Sequence, residues 1–266
     1  MPELPEVETI TNQLSKKVKG KIISKIEVRD YNKRFQGKRK LVLSKIIEIE
    51  RRAKQIIFDL ANHNSFIIHL KMSGQLVYHS KLPAEIKKAT HVIFTFSDGT
   101  YLFFNDFRKF GFVKVMKTGQ VDDYFKNYGP DSLKVNLPDF KKVLWKKRRS
   151  KLKPTLLDQK VLTGLGNIYA QEACFKANVL PDRMIGSLTD SELKKLHSGI
   201  KQILKAAIKH QGTSFDASYR TVENKPGNYK KYIKVYHQKE CFKCKRKLKS
   251  EKLGGRSTYY CEKCQK

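Results

Sequence analysis

The chain has 266 residues and a formal net charge of +31, because 56 residues are Lys or Arg and only 25 are Asp or Glu. This length predicts about two domains, and the absence of a membrane-length apolar run and of a leader pattern argues against a membrane-spanning or exported protein. The charge favours a polyanionic partner, although 44 of the cations are Lys, and a lysine-rich proteome would raise the charge without any function.

The first eighteen residues are predicted to form an amphipathic helix. Apolar residues recur there at helical spacing, at Val7, Ile10, Leu14 and Val18. If Met1 is removed, Pro2 presents a secondary amine, which forms a permanently positive iminium ion when it attacks a sugar carbon and then acts as an electron sink. A simpler interpretation is a helix start whose neighbouring acidic residues stabilise the positive end of the helix dipole.

A run of short strands follows this helix. Segments rich in Ile, Val and Phe occur at 21–29, 41–49, 55–60, 65–70, 91–97, 100–104 and 112–116. Asp98-Gly99 is a strong hairpin signal between two of them. Seven short strands after one helix predict a β-sandwich.

The second half of the chain is predicted to be helical from about residue 139, after a linker at 129–138. Thr155–Lys160 can begin one helix, and Asn167 can cap another that runs to about Ala177. The capping box at 189–192 begins a third helix that reaches Ile208. Residues 211–228 have little periodicity and form a predicted long loop, here called the 211–228 loop, of the kind that often has a function.

The cysteines predict a structural metal site near the end of the chain. Two CxxC pairs are separated by sixteen residues, and their members are Cys241, Cys244, Cys261 and Cys264. This spacing is typical of a zinc knuckle with four thiolate ligands, and a disulfide framework would need an oxidising compartment. Cys174 is expected to be a small buried hydrophobic residue.

Five motifs occur in order along the chain and together resemble one family. They are Pro2-Glu3-Leu4-Pro5-Glu6-Val7-Glu8-Thr9, His69-Leu70-Lys71-Met72-Ser73-Gly74, Asn105-Asp106-Phe107-Arg108-Lys109-Phe110-Gly111, Leu157-Asp158-Gln159 followed by Gly164-Leu165-Gly166-Asn167-Ile168-Tyr169-Ala170-Gln171-Glu172, and Gly255-Arg256-Ser257-Thr258 between the CxxC pairs. From end to end the chain resembles the bacterial formamidopyrimidine-DNA glycosylases, which remove oxidised purines.

The resemblance implies an α+β fold with four parts. These are an N-terminal helix and β-sandwich catalytic domain at 1–128, the linker at 129–138, a helix-two-turn-helix DNA-binding domain with a lesion-recognition loop at 139–228, and a zinc-finger β-hairpin at 229–266. The implied partner is double-stranded DNA containing oxidised purines, with no membrane. We expect a monomeric, cytoplasmic and nucleoid-associated enzyme with one structural Zn²⁺ ion.

The resemblance also implies a bifunctional DNA glycosylase and AP lyase. Pro2 would displace the damaged base, and the resulting iminium would lead to β- and then δ-elimination. Glu3 would be the acid and base, and Glu6 would shape the site near the nucleophile. Lys54 and Arg256 complete the catalytic set that the resemblance implies.

A further set is implied to bind DNA: His91, Lys153, Asn167, Met72, Arg108 and Phe110. Lys54, Lys153, Asn167 and Arg256 would contact phosphates, whereas Met72, Arg108 and Phe110 would fill the space left by a flipped nucleotide. Alternatively, Met72 and Phe110 are core residues and Arg108 pairs with Asp106. His69 is expected to be a structural residue.

The 211–228 loop departs from the family pattern. Asp216-Ala217-Ser218-Tyr219-Arg220 replaces more usual residues, Gly227 is not followed by Phe-Gln, and Tyr236 lacks the usual Gly after it. The order in which different lesions are preferred is therefore open. Two alternatives remain: an endonuclease VIII-type enzyme for oxidised pyrimidines, and a non-catalytic zinc-ribbon DNA-binding protein.

Overall fold

The computed structural model describes residues 1–29 and 34–266. It confirms the predicted α+β class. The chain divides into two compact units, the first formed by Met1–Lys126 with His210–Lys230 and the second by Asn127–Lys209 with Lys231–Lys266. In the part of the chain that is described, no helix is both long and apolar enough to cross a membrane.

Helix α1 spans Leu4–Val18 in the first unit. Glu3 is its N-cap, with extended φ and ψ angles of −103° and −170°, and forms a capping box with Glu6. Pro5 lies in the first turn, where its missing N–H costs no hydrogen bond. The helix therefore begins three residues after the predicted start.

Nine strands of the described chain form the two sheets of the first unit. They are β1 (Ile23–Val28), β2 (Phe35–Gln36), β3 (Ile46–Arg52), β4 (Gln55–Leu60), β5 (Asn64–His69), β6 (Gly74–His79), β7 (Thr90–Phe96), β8 (Tyr101–Asp106) and β9 (Phe112–Lys117). One sheet has the order β1-β7-β8-β6 and the other has the order β2-β9-β5-β4-β3. Between these described strands, every pairing is antiparallel except that of β2 with β9.

The sequence located seven of these strands and missed two. The missed strands are β2, which has only two residues, and β6, which begins at a glycine. The segment predicted at 41–49 is shifted, because Arg39–Val42 forms a 3₁₀ helix and the strand begins at Ile46. The hydrophobic residues of 41–49 predicted an ordered segment here, but they did not distinguish a 3₁₀ helix from a strand.

The core of the first unit joins both sheets and one face of α1. The Phe66 ring of β5 stacks on Phe58 of β4 with centroids 4.4 Å apart, and lies 5.3 Å from the Phe94 ring of β7 in the other sheet. The 211–228 loop adds Tyr219 and Val222 to this cluster. The loop is therefore built onto the sandwich core. A short helix, α2 (Val121–Phe125), follows β9.

In residues 127–209 and 231–266, all of which the structure describes, the second unit has four α-helices and a hairpin. They are α3 (Leu137–Trp145), α4 (Leu152–Leu157), α5 (Asn167–Ala177), α6 (Asp190–Lys209), β10 (Lys249–Leu253) and β11 (Arg256–Tyr260). The capping box predicted for α6 is present, since the Thr189 amide donates to Glu192 Oε2 at 2.8 Å and the Glu192 amide donates to Thr189 Oγ1 at 3.2 Å.

Three predicted boundaries in the second unit were wrong. Helix α3 begins at Leu137, inside the predicted linker, because the Asn136 side chain accepts from the Asp139 amide at 2.8 Å. Helix α4 begins at Leu152 and ends at Leu157, where we predicted a start at Thr155. The N-cap of α5 is Gly166, so Asn167 is its first helical residue.

Candidate functional site

The N-terminal turn of α1 holds two buried carboxylates directly after Pro2. Glu3 is 3% exposed and Glu6 is 2% exposed. The Glu3 amide donates to Glu6 Oε2 at 2.8 Å, and the Thr213 amide donates to Glu6 Oε1 at 2.7 Å. Both oxygens of Glu6 are therefore held by backbone amides, and Glu6 is suited to organising this turn.

The chain must pass very close to Glu6 to make the Thr213 contact. Gly212 has φ of +78°, and a Cβ at this position would lie 2.8 Å from Glu6 Oε1. A side chain here would meet both a strained backbone and a steric clash. Our reading of the sequence missed Gly212 and Thr213, although a glycine just after a long helix was a signal for a constrained approach.

Lys54 lies in the β3–β4 turn of the first unit and is 7% exposed. This turn is stabilised by Arg51, which forms an ion pair with Glu8 and donates to the Ala53 carbonyl at 2.9 Å. Ala53 has φ of +55°. The Lys54 amine is close enough to His69, at the end of β5, for its charge to lower the pKa of that imidazole.

His69, at the end of β5, is held as a neutral imidazole. Burial, the Lys71 charge and the Lys54 charge lower its pKa to about 3. Its Nδ1 accepts from the Lys71 amide at 3.1 Å, which requires an unprotonated nitrogen. These contacts agree with the expected structural role.

A fully buried carboxylate organises the loop that follows β8. Asp106 accepts from the Ser73 hydroxyl, from the Arg108 amide at 3.3 Å and from the Gly111 amide at 2.7 Å. Position 111 has no room for a side chain, because a Cβ there would lie 2.7 Å from the Phe104 ring. Asp106 therefore joins the Met72–Ser73 turn to the 107–111 loop.

Arg108 and Phe110 project from this loop. The Arg108 guanidinium lies 4.9 Å from the centroid of the Phe110 ring, which is 43% exposed. The Asp106 carboxylate accepts a hydrogen bond from the Arg108 backbone amide, and the guanidinium lies over the Phe110 ring. Met72 is half-buried. The first unit thus presents a cation and an aromatic ring together at its surface.

His91 lies beneath the same loop. It is 1% exposed, and its Nε2 lies 2.8 Å from the Asp106 carbonyl oxygen. This position suits a residue that supports the loop rather than one that reaches out from it.

In the second unit, three of the residues implied to bind phosphate meet at the β10–β11 hairpin. The buried Lys153 amine donates to Thr258 Oγ1 at 2.7 Å and to the Ser257 carbonyl at 3.3 Å. The Asn167 amide group donates to the same Ser257 carbonyl at 3.2 Å. Arg256 begins the second hairpin strand and is exposed. The helices α4 and α5 therefore position the exposed end of the hairpin.

Gln171 is a residue of this site that our sequence reasoning left unassigned. Its Nε2 donates to the Ser257 carbonyl at 3.1 Å, and its Oε1 accepts from the Tyr259 amide at 2.6 Å. It lies one turn after Asn167 on α5, so the i, i+4 spacing within the quoted motif was a usable signal.

The four predicted zinc ligands come together in the second unit. Their sulfur atoms all lie within 4.8 Å of one another, with Sγ–Sγ distances of 3.8 Å for Cys241–Cys264 and 3.5 Å for Cys244–Cys261. A tetrahedron with zinc–sulfur bonds of about 2.3 Å has edges of about 3.8 Å. The thiolates therefore fit one structural Zn²⁺ ion, as predicted.

Cys174 stands apart from this group. It is fully buried on α5, and burial raises the pKa of its thiol to about 12. It has the environment expected of a small core residue.

Three family models match successive parts of the chain. The formamidopyrimidine-DNA glycosylase N-terminal domain matches residues 1–113, the formamidopyrimidine-DNA glycosylase H2TH domain matches 128–218, and the zinc finger found in FPG and IleRS matches 238–266. The chain is also 38% identical over 275 residues to the formamidopyrimidine-DNA glycosylase of Rickettsia bellii, with both chains covered in full. This chain belongs to the formamidopyrimidine-DNA glycosylase family.

Solved structures agree with the family. A mutant Lactococcus lactis FPG in complex with Fapy-dG containing DNA has a TM-score of 0.90 and 34% identity, and Lactococcus lactis Fpg with abasic-site DNA has a TM-score of 0.90 and 32% identity. Each match covers 99% of both chains. These findings confirm the predicted family, fold class and structural zinc. They also confirm the predicted enzyme class, a bifunctional DNA glycosylase and AP lyase.

Proposed function

We propose that the chain removes oxidised purines, including 8-oxoguanine and formamidopyrimidines, from double-stranded DNA and then cuts the strand. The observation that supports this most directly is the position of Pro2 immediately before the buried Glu3–Glu6 turn of α1. Pro2 becomes a nucleophilic secondary amine only when Met1 is removed. The proposed active species therefore begins at Pro2.

In the proposed first step, the Pro2 nitrogen attacks C1′ of the damaged nucleotide. The N–C1′ bond forms while the glycosidic bond breaks, and the base leaves with the bonding electrons and takes up a proton. The nitrogen then loses its proton, the C1′–O4′ bond breaks as O4′ takes up a proton, and the nitrogen lone pair forms the C=N bond of an iminium ion. This ion stays positive because its nitrogen no longer carries a hydrogen to lose. Glu3 is the proposed acid and base, and Glu6 holds the turn that carries it.

In the proposed second stage, the iminium makes the C2′ proton acidic. A base removes this proton and the 3′-phosphate leaves, which is β-elimination. Loss of a C4′ proton then expels the 5′-phosphate by δ-elimination. Hydrolysis of the iminium returns the free Pro2 amine. The positive charge on nitrogen acts as the electron sink in both eliminations.

DNA binding is proposed to use two kinds of residue. Lys54, Asn167 and Arg256 would contact phosphates, and the buried Lys153 would hold the hairpin that carries Arg256. Met72, Arg108 and Phe110 would enter the space left by the flipped nucleotide. The exposed Arg108–Phe110 pair supports the second role, since it combines a hydrogen-bonding fork with an apolar wedge. His91 would support the loop that carries this pair.

A second candidate is excision of oxidised pyrimidines. It is favoured by one comparison, in which wild-type Lactococcus lactis Fpg binds an oxidised pyrimidine containing DNA, with a TM-score of 0.88 and 34% identity. Parallel assays on duplexes containing 8-oxoguanine or thymine glycol would separate the candidates. We propose the purine as the faster substrate, and a faster reaction on thymine glycol would reverse the assignment.

Borohydride trapping tests the mechanism itself. Protein lacking Met1 is mixed with an 8-oxoguanine duplex and sodium borohydride, which reduces an iminium to a stable covalent link. A covalent protein–DNA product that maps to Pro2 is expected. Tight binding without such a product would instead favour a non-catalytic zinc-ribbon protein. A sedimentation measurement of the DNA complex would test the proposed monomer.

A further inference from the structure

Helix α1 has a polar stripe in addition to its apolar face. The apolar face enters the sandwich core. The stripe has spacings of three, four and four residues, which place its members on one side of the helix. Its members are Glu6, Thr9, Gln13 and Lys17.

Three members of the stripe, Glu6, Gln13 and Lys17, contact the 211–228 loop. Near the start of the helix, Glu6 Oε1 accepts from the Thr213 amide at 2.7 Å. One turn later, the buried Tyr219 of the loop belongs to the same apolar cluster as Val7 and Ile10 of the helix. The first half of the loop is therefore joined to the catalytic end of α1.

The second half of the loop is joined to the other end of the helix. Gln13 Oε1 accepts from the Val222 amide at 3.0 Å, and the Val222 carbonyl accepts from the Tyr78 amide of β6 at 2.9 Å. Lys17 then lies 3.2 Å from a carboxylate oxygen of Glu223. The order of contacts along the loop follows the order of residues along the helix.

The Gln13 contact satisfies a buried backbone amide of the loop. Val222 is 0% exposed, so its amide has no access to water and depends on the protein for a hydrogen-bond partner. The partly exposed Lys17–Glu223 ion pair is expected to contribute little stability. Gln13 lies ten residues after Glu3, about 15 Å along the helix axis.

We propose that α1 positions the base-reading loop relative to the catalytic carboxylates, and that Gln13 is a positioning residue for base excision. The proposal rests on the proposed function, in which the 211–228 loop reads the damaged base. An abasic site has no base to read. Loss of the Gln13 contact should therefore slow excision of a base far more than cleavage of a preformed abasic site.

The test compares Gln13→Leu with Gln13→Glu and with Asn12→Leu. Leucine removes the acceptor, glutamate keeps one, and Asn12 is an exposed neighbour on the same helix. For each protein, the rate of 8-oxoguanine excision is divided by the rate of abasic-site cleavage. Gln13→Leu should lower this ratio about fivefold to tenfold, the size expected for one hydrogen bond. Gln13→Glu should restore most of it, and Asn12→Leu should not change it.

Amide hydrogen exchange of peptides covering 213–223 gives a second measurement on the same proteins. Faster exchange in Gln13→Leu than in Asn12→Leu is expected. An unchanged rate ratio, equal falls in both rates, or unchanged exchange would each overturn the proposal. If the unaltered protein failed to cut either substrate, the proposed function would fail, and the exchange comparison would still decide whether Gln13 positions the loop.

Discussion

The Lys153 amine donates to the Thr258 hydroxyl at 2.7 Å and so joins helix α4 to the zinc-finger hairpin. Lys153 is 0% exposed, and a buried ammonium group needs such partners to offset the loss of water. The zinc ligands hold the base of the hairpin, whereas Lys153, Asn167 and Gln171 hold its side. The position of Arg256 therefore depends on both.

Removal of zinc should weaken DNA binding without unfolding the first unit. The ligands lie in the second unit, so chelation releases the hairpin that carries Arg256. We expect one zinc per chain, loss of metal in Cys244→Ser, and full occupancy in the control Cys174→Ala. Metal content by mass spectrometry and DNA affinity by fluorescence anisotropy measure this. Full DNA affinity after complete chelation would contradict it.

Arg256→Ala and Lys54→Ala should each make DNA affinity less dependent on salt. A cation that contacts one phosphate adds about one unit to the slope of log affinity against log salt concentration. The matched control is Lys252→Ala, an exposed cation on the neighbouring strand of the same hairpin. Titrations at several salt concentrations give the slopes. Slopes equal to that of the unaltered protein in both variants would remove these residues from the phosphate-binding set.

Glu3→Gln should bind damaged DNA normally but excise 8-oxoguanine at least about a hundredfold more slowly, the effect expected for loss of a general acid and base. Pro2→Gly keeps a primary amine, so it should retain some borohydride trapping and lose much of the excision rate. Single-turnover kinetics measure both. Excision by Glu3→Gln at the normal rate would show that Glu3 serves only as the helix cap.

Arg108→Ala should reduce the preference for 8-oxoguanine opposite cytosine over adenine by about tenfold. The planar guanidinium can hydrogen-bond an unpaired cytosine, and one such pair contributes roughly 1–3 kcal/mol of discrimination. Arg108→Lys should not restore the preference. Excision rates on the two duplexes give the ratio, with cleavage of an abasic site as the control. An unchanged ratio would leave Arg108 only as the residue that stacks on Phe110.

His69 should make the protein less stable as the pH falls. Burial, Lys71 and Lys54 hold the pKa of His69 at about 3 in the folded state, whereas the unfolded value is about 6.5. Between these values the unfolded chain binds the extra proton, so the free energy of unfolding rises with pH. His69→Gln should flatten this dependence between pH about 3 and about 6.5 relative to the exposed control His63→Asn. Urea unfolding measures it, and an unaltered dependence would contradict the neutral assignment.

Local sequence patterns predicted many of the helices and strands of this protein. The apolar residues of α1, the capping box at the start of α6 and the alternation of seven strands each encode their own conformation, because neighbouring residues supply the interactions that decide it. The four cysteines likewise predicted a zinc site from spacing alone. The strands β2 and β6 lacked such a signal, since pairing with β9 and β8 forms them.

The sequence by itself determined which chemical groups are available, including Pro2, two carboxylates after it and the thiolates. Only the tertiary structure decided that Thr213 binds Glu6, that His91 lies beneath the Asp106 loop and that Lys153 meets Thr258. These partners are separated by 207, 15 and 105 residues. Contacts between residues so far apart in the sequence depend on how the whole chain packs. The short-range periodicity of the sequence therefore does not predict them.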